Sequence, residues 1–309
     1  MSVAAPREYT IRLRELRLAA MAWGDPADPP LIAVHGWLDN AASFARLAPL
    51  LGRHVIAIDL AGHGRSEHRG AANSYAWVDY LAELDEVIAQ SGPDRVDLLG
   101  HSLGASLVGA YAAAVPEKVA RLLLIEGLGP LASGPERTLE VLRRGMLARS
   151  ITQRSPLRVF ESIDAAAAIR QRASGISAES ARLIVERGLR PRGDDGAVEG
   201  YVWSSDPRLT LPSMQRFSED QVRALVSGIA APTLLILAEP AAPYLATELI
   251  ERRIACVQVI QVVRLAGTHH LHLDDPRPVA KAIREFLDSR TLGAVATDEA
   301  RAGTTHPEA

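Results

Sequence analysis

Ser102 lies at the centre of the pentapeptide GHSLG, residues 100–104, which fits the pattern G-x-S-x-G. The glycines of this pattern let a strand turn sharply into a helix, while the central residue takes a strained backbone conformation. A serine at such a turn lies close to backbone N–H groups and to the positive end of the helix dipole, where an oxyanion forms in acyl transfer. A structural turn in which Ser102 only caps the helix is the alternative. The apolar run before it and the Ala-rich run after it favour a nucleophile.

A nucleophilic serine needs a base, and the base needs a partner that fixes its tautomer. Candidate bases lie downstream, in the segment GTHHLHLDDP at residues 267–276, between the last apolar strand pattern and the closing helix pattern. This segment contains three histidines, His269, His270 and His272. Spacing alone leaves the choice among them open.

With these two motifs the chain resembles the α/β-hydrolase superfamily. The family's base is followed by a second histidine three residues on, an acidic residue five on and a proline seven on. Counted back from Pro276, this register implies that His269 is the base. His272 and Asp274 then occupy the accessory positions, and His270 is the competing base.

The acid of the triad departs from the commonest family pattern, because Ala241 occupies the usual aspartate position in the loop after a late strand. A branch of the family places the acid at the end of the strand that follows the nucleophile helix, and Glu126 stands there. Neighbouring strands lie about 4.8 Å apart, so a carboxylate at that strand end can reach the histidine. An ionisable group that ends a buried strand also needs a partner. We therefore expect the triad Ser102, Glu126 and His269, with Glu239 as the competing acid.

The oxyanion hole is expected from two backbone N–H groups. The resemblance implies one donor at Leu103, directly after the serine, and one at Trp37, in the loop after the third strand. The Trp37 indole is expected to line the substrate pocket or to cover the core beneath a cap. His35, His63 and Asp59 are expected to make structural hydrogen bonds. His101 is an elbow residue by resemblance and not a second base.

The order of the elements predicts how these residues are positioned. Strand patterns that alternate with helix patterns indicate a parallel sheet with helices on both faces, and the resemblance implies an α/β-hydrolase fold with eight strands, mostly parallel. Residues 1–130 and 229–290 are expected to form this core. Residues 131–228 contain helical patterns broken by Gly and Pro and are expected to form an inserted helical cap. Residues 291–309 are small and polar and are expected to be disordered.

Composition limits the possible partners. The 309 residues carry a net charge of −3 with both signs interspersed, so neither nucleic acid nor a membrane is expected as a partner. Cys256 is the only cysteine and there is no long apolar span, which indicates a soluble cytoplasmic protein. The turn DLAGHGRS at residues 59–66 lacks the helix of a dinucleotide fingerprint, and no cofactor or metal is expected.

The sequence thus predicts a serine hydrolase that cleaves a small carboxylic ester through an acyl-enzyme. The segments HGWLDNAASF, LIEGLGP and YVWSSDPRL most resemble the serine hydrolase-like proteins within the family. Ser102 excludes the epoxide hydrolases and haloalkane dehalogenases, which use an aspartate nucleophile. Lactone or C–C bond hydrolysis, acyl transfer and perhydrolysis remain alternatives, as does a non-catalytic ligand-binding protein. Charged helix residues are most often solvated, and an acidic substrate is the alternative partner for three arginines of the cap, which are Arg137, Arg143 and Arg144.

Overall fold

The computed structural model describes residues 5–152, 157–193, 198–242 and 246–289, so the tail expected at 291–309 lies outside the described residues. The strands of this part of the chain are β1 (Arg7–Arg12), β2 (Arg17–Trp23), β3 (Leu31–Val34), β4 (Val55–Ile58), β5 (Val96–His101), β6 (Val119–Ile125), β7 (Leu189–Arg192), β8 (Gly200–Trp203), β9 (Thr233–Glu239) and β10 (Ile260–Ala266). The α-helices are α1 (Asp79–Ala89), α2 (Leu103–Ala114), α3 (Thr138–Thr152), α4 (Ile163–Ser174), α5 (Ala178–Gly188), α6 (Glu219–Ser227), α7 (Thr247–Ile254), α8 (Leu271–Asp274) and α9 (Pro276–Asp288). Short 3₁₀ helices at Ala41–Phe44 and Ala48–Leu50 connect β3 to β4.

Eight strands form one sheet in the order β1-β2-β4-β3-β5-β6-β9-β10. The first two pairs, β1 with β2 and β2 with β4, are antiparallel, and all later neighbours are parallel. The predicted α/β-hydrolase fold with a mostly parallel eight-stranded sheet is confirmed. Strand β5, which leads to Ser102, lies between β3 and β6.

Both faces of the central strands are covered by helices, which explains why these strands read as unbroken apolar runs. Successive residues of β5 point to opposite faces, so Leu98 belongs to one buried cluster and Leu99 to the other. Helix α2 packs across one face of the sheet and is buried along almost its whole length. No helix of the described ranges is both long enough and apolar enough to cross a bilayer.

The inserted segment at 131–228 leaves the sheet after β6 and returns before β9, two strands that pair directly with each other. Its two ends meet, since the Ser133 N–H donates to the Phe217 carbonyl at 2.9 Å. The segment contains α3 to α6 and also the antiparallel pair β7 and β8, which the sequence did not predict. The β7 sequence LRPR is short and mostly exposed, so it lacks the apolar alternation of a half-buried strand.

A buried ion pair fastens this segment to the sheet. The Arg187 guanidinium of α5 donates to both carboxylate oxygens of Asp59, at 3.0 and 2.9 Å, and also contacts Glu8. The N–H groups of Ala41 and Arg65 donate to the same Asp59 carboxylate, at 2.7 and 2.8 Å. Asp59 therefore has the structural hydrogen bonds expected of it, and a charge that would be costly alone is neutralised.

The second elbow glycine is needed for packing. A Cβ on Gly104 would overlap the carbonyl oxygen of Val34 in β3, whereas a Cβ on Gly109, in the same helix, meets only the Ile229 Cδ1 at 3.9 Å. We predict that Gly104→Ala lowers the free energy of unfolding by about 2 kcal/mol or more, because the helix must move away from the sheet. Gly109→Ala is expected to be neutral or to stabilise by up to about 1 kcal/mol through its higher helix propensity.

Urea denaturation of the two variants beside the wild type measures both effects. Equal stability of Gly104→Ala and Gly109→Ala would contradict this account of the elbow.

Candidate active site

The turn between β5 and α2 holds Ser102 in a strained conformation. Its φ of 52° and ψ of −111° lie outside the regions that residues with side chains favour, at a cost of roughly 1–3 kcal/mol. The Ser102 N–H donates to the Ile125 carbonyl at 2.9 Å, which ties the turn to the end of β6. Ser102 is therefore placed as the sequence predicts, at the carboxyl edge of the sheet and at the N-terminus of α2.

Glu126 is the first residue after β6 and is 2% exposed. Its φ of 54° turns the chain, and its Oε1 accepts a hydrogen bond from the Ala238 N–H of β9 at 2.5 Å. The other oxygen, Oε2, lies 3.0 Å from Nδ1 of His269. The next residue packs on the elbow, since a Cβ on Gly127 would lie 3.0 Å from the Ser102 carbonyl oxygen. The two strand ends bring the carboxylate, the imidazole and the serine turn together.

The His269 ring lies between β10 and α8, with its side chain 20% exposed. An ionised carboxylate can only accept, so the hydrogen bond to Glu126 assigns the hydrogen to Nδ1 and leaves the Nε2 lone pair as the basic site. Burial lowers the pKa of His269 below its ordinary value of 6.5, and the hydrogen bond to Glu126 partly opposes this shift. The imidazole is therefore neutral near pH 7 and able to accept a proton.

The competing acid positions lie elsewhere. Glu239 ends β9 and is exposed, and its backbone carbonyl accepts a hydrogen bond from the Gly267 N–H at 3.1 Å. Ala241 carries no carboxylate. Glu239 thus supports the entrance of the His269 loop through its backbone, while the carboxylate that accepts the hydrogen bond of the His269 ring is that of Glu126.

The loop at residues 36–40, which we call the oxyanion loop, contains one of the two predicted donors. Trp37 is 53% exposed, and its indole N–H donates to the Leu209 carbonyl at 3.0 Å. Leu38 follows with a φ of 59°. Leu103, the other predicted donor, is the first residue of α2, where backbone N–H groups have no partner within the helix.

The histidines near this loop are structural, as expected. His35 donates from Nδ1 to the Gly36 carbonyl at 2.7 Å and accepts from the Leu60 N–H at 3.0 Å. Burial lowers the pKa of His35 to about 4, which keeps it neutral. His63 contacts the Ala61 carbonyl at 3.1 Å, and burial lowers its pKa to about 3.

A second carboxylate with histidine partners lies beside His269, and the sequence analysis missed it. Asp39 is buried and accepts a hydrogen bond from His270 Nε2 at 3.2 Å. His101 lies with Nδ1 3.6 Å from the same Asp39 oxygen, and its Nε2 donates to the His269 carbonyl at 2.8 Å. The Arg170 guanidinium pairs with the other Asp39 oxygen. The only signals in the sequence were an Asp soon after the HGW turn and a His beside the nucleophile.

This cluster is an internal ion network. Among the described residues, Asp39, His101 and His270 bring ligand-type atoms within 4.8 Å of one another. Arg170 already supplies the positive charge that a metal ion would bring to the carboxylate, so we do not assign the group as metal ligands. Burial by itself would raise the pKa of Asp39, but His270, His101 and Arg170 hold it well below its usual range.

The two accessory positions pack the site. His272 is fully buried with its ring centroid 4.1 Å from that of His101, and burial holds its pKa well below the ordinary value. Asp274 accepts a hydrogen bond from the Ser177 N–H at 3.0 Å, just before α5. Of the cap arginines, Arg137 forms an exposed ion pair with Glu140, which is a solvated helix face.

Comparison with known proteins identifies the family. A family model described as alpha/beta hydrolase fold matches residues 29–276. The chain belongs to the α/β-hydrolase family. This α/β hydrolase is 31% identical over 291 residues to a probable serine hydrolase of Drosophila melanogaster, covering 91% of this chain and 87% of that protein.

Two solved α/β structures are also similar. The crystal structure of a hypothetical protein from Pseudomonas aeruginosa PAO1 has a TM-score of 0.85 and 36% identity, covering 93% of this chain and all of that chain. A thioesterase domain from the curacin biosynthetic pathway has a TM-score of 0.78 and 27% identity, covering 91% and 99%. The chain is therefore an α/β hydrolase with serine hydrolase-like relatives.

The contact between Glu126 and His269 predicts how the imidazole titrates. We expect the pKa of His269 to lie below 6.5 in the wild type, because burial disfavours the imidazolium. Glu126→Gln is expected to lower it further, since it removes a charge and a hydrogen bond that both raise the pKa. Glu239→Gln is expected to leave it unchanged.

NMR titration of the histidine ring signals measures these values, with His269→Asn to assign the resonance. A pKa that falls in Glu239→Gln and not in Glu126→Gln would reverse the assignment.

Proposed function

We propose that this α/β hydrolase is a serine hydrolase that cleaves a small carboxylic ester through an acyl-enzyme. The observation that carries the proposal is the buried Glu126 carboxylate 3.0 Å from Nδ1 of His269, beside the strained turn that holds Ser102. A buried carboxylate that orients an imidazole next to an elbow serine is the arrangement that activates a hydroxyl nucleophile. The order Ser102, Glu126, His269 is also the order in which nucleophile, acid and base follow one another along the chain in this fold.

In the acylation step, the Ser102 hydroxyl oxygen attacks the carbonyl carbon of the ester, and His269 Nε2 takes the hydroxyl proton. Glu126 stabilises the imidazolium that forms, without itself taking the proton. When the tetrahedral intermediate collapses, the bond from the carbonyl carbon to the alcohol oxygen breaks. His269 returns the proton to this oxygen, so an alcohol leaves and the acyl group stays on Ser102.

In the deacylation step, a water molecule takes the place of the alcohol. His269 removes a proton from the water, the resulting hydroxide attacks the acyl carbon, and the bond to the Ser102 oxygen breaks as that oxygen is protonated. A carboxylic acid is released and the enzyme returns to its first state. The N–H groups of Trp37 and Leu103 are proposed to hold the oxyanion in both tetrahedral intermediates.

The segment at 131–228 is proposed to act as a cap that selects the substrate by shaping the site and excluding water. The segment leaves the sheet a few residues after Glu126, and its Leu209 carbonyl accepts a hydrogen bond from the Trp37 indole at the loop that is proposed to supply one oxyanion donor. The half-exposed Trp37 ring offers an apolar surface next to the proposed site, which suits the acyl or alcohol part of an ester. We propose a cytoplasmic enzyme, since the single Cys256 cannot form an internal disulfide.

Other reactions use the same three groups, and lactone or C–C bond hydrolysis, acyl transfer and perhydrolysis differ in the acceptor and in the pocket. We favour esters because a thioesterase domain is among the similar structures and thioesters follow the same acyl-enzyme chemistry. A ligand-binding protein without catalysis is the alternative from another class. The hydrogen bond between Glu126 and His269 counts against it, because binding alone needs no oriented base.

A fluorophosphonate probe and a short p-nitrophenyl ester test this proposal directly. We predict that the wild type is labelled by the probe and hydrolyses the ester, because His269 removes the proton from the hydroxyl of Ser102 as it attacks. Ser102→Ala is expected to lose the label and at least about 10³-fold in kcat, while circular dichroism shows an unchanged fold.

Ser106→Ala is a matched control, because Ser106 lies one turn along α2 and donates to the Leu103 carbonyl at 2.8 Å. If the folded wild type takes no label and turns over the ester no faster than Ser102→Ala, the proposal is wrong. An acceptor screen with alcohols then separates transfer from hydrolysis in a labelled enzyme.

A further inference from the structure

Four hydrogen bonds connect the cap segment to the oxyanion loop, one at each of residues 37 to 40. The Trp37 indole donates to the Leu209 carbonyl at 3.0 Å, and the Asn40 side chain donates to the Ile184 carbonyl at 2.8 Å. Between these two contacts, Arg170 of α4 reaches into the loop. The loop that holds a proposed oxyanion donor is therefore held by the cap segment as well as by its own turns.

Arg170 contacts two successive residues of the oxyanion loop. Its guanidinium donates to the Leu38 carbonyl at 3.3 Å and pairs with the buried Asp39 carboxylate, and its side chain is only 14% exposed. Leu38 has a φ of 59°, a conformation that a residue with a side chain keeps only when its surroundings hold it. The guanidinium thus stabilises the turn directly after Trp37.

The Asp39 carboxylate also contacts histidines that lie beside His269. Asp39 Oδ2 lies 3.2 Å from His270 Nε2 and 3.6 Å from His101 Nδ1. His101 in turn donates from Nε2 to the carbonyl oxygen of His269 at 2.8 Å, and its ring lies against the His269 ring with centroids 4.7 Å apart. The separation of 3.6 Å is too long for a hydrogen bond between His101 and Asp39. The hydrogen-bonded connection from the cap helix therefore runs through Asp39 to His270, the chain neighbour of His269.

We propose that Arg170 is a positioning residue that couples the packing of cap helix α4 to the alignment of the oxyanion loop and of His269. This inference rests on the proposed function. The cap then does more than shape a pocket, because it holds the donor at Trp37 and the base in register with Ser102. Arg170 acts through Leu38, Asp39 and His270.

The charges of Asp39 and Arg170 should change the pKa of His269, an effect that is not expected if Arg170 only anchors the loop. The groups that face the His269 ring come from every neighbouring element and comprise Glu126, His101, His270, His272 and Asp39, with Arg170 on the far side of Asp39. Asp39 raises the pKa of His269, so Asp39→Asn is expected to lower that pKa. Arg170→Gln removes the balancing positive charge and is expected to raise it.

The test combines ring-proton NMR with steady-state kinetics on a p-nitrophenyl ester. We predict opposite shifts of the His269 pKa, by roughly half a pH unit or more, in Asp39→Asn and Arg170→Gln. In both single variants kcat is expected to fall about 10-fold with a smaller change in KM, because the loop and the base lose register. Arg172→Gln, an exposed arginine of the same helix, is the matched control and should resemble the wild type.

The double variant Asp39→Asn with Arg170→Gln buries no unpaired charge, so it remains testable if a single variant fails to fold. In it the His269 pKa is expected to return near the wild-type value while kcat stays low, since a neutral amide pair restores the charge balance and not the geometry. Unchanged His269 pKa values in both single variants, or a double variant with wild-type kcat, would overturn the coupling. The NMR measurement needs no turnover, so a wild type without esterase activity would contradict the proposed function and leave this test intact.

Discussion

The contact between Glu126 and His269 is the interaction on which the rest of the site depends. A carboxylate that is 2% exposed is costly to keep charged unless each oxygen has a partner. One oxygen of Glu126 accepts a hydrogen bond from the Ala238 N–H of β9, and the other accepts a hydrogen bond from the His269 ring. The carboxylate can meet both partners because β6 lies between β5 and β9 in the sheet. Sheet order therefore decides that Glu126 is the carboxylate that reaches the His269 ring.

Backbone strain in the described chain gathers at this site. The residues other than glycine with a positive φ there are Leu38, Ser102 and Glu126. Such conformations cost roughly 1–3 kcal/mol each and persist only where the surrounding structure holds them. Here that support comes from the packing of α2 on β3, the hydrogen bond of Glu126 to β9, and the contact of Arg170 with Leu38. Strain at the three places where we propose an oxyanion donor, a nucleophile and an acid is what a preorganised catalytic site would show.

The sequence predicted the parts that depend on local pattern. Buried parallel strands are recognisable as unbroken apolar runs, and the elbow has two glycines at fixed spacing, so Ser102 could be predicted as the candidate nucleophile. Glu126 could be predicted as the candidate acid because it is an ionisable residue at the end of a buried strand. His269 required the register taken from a family resemblance, because His270 is its neighbour. The structure distinguishes the two histidines, because the His269 ring contacts Glu126 and the His270 ring contacts Asp39. The network through Arg170 was missed because it joins residues 131 positions apart, and no local pattern predicts where a cap helix docks.

The most direct test of this account compares kcat for the two candidate acids on a p-nitrophenyl ester. Glu126→Gln is predicted to keep the fold, as judged by circular dichroism, and to lose roughly 10³-fold or more in kcat, because the amide no longer stabilises the His269 imidazolium. Glu239→Gln is predicted to stay within about threefold of the wild type, since its side chain is exposed and only its backbone supports the His269 loop. Near-normal turnover by Glu126→Gln, or a larger loss in Glu239→Gln, would contradict the account.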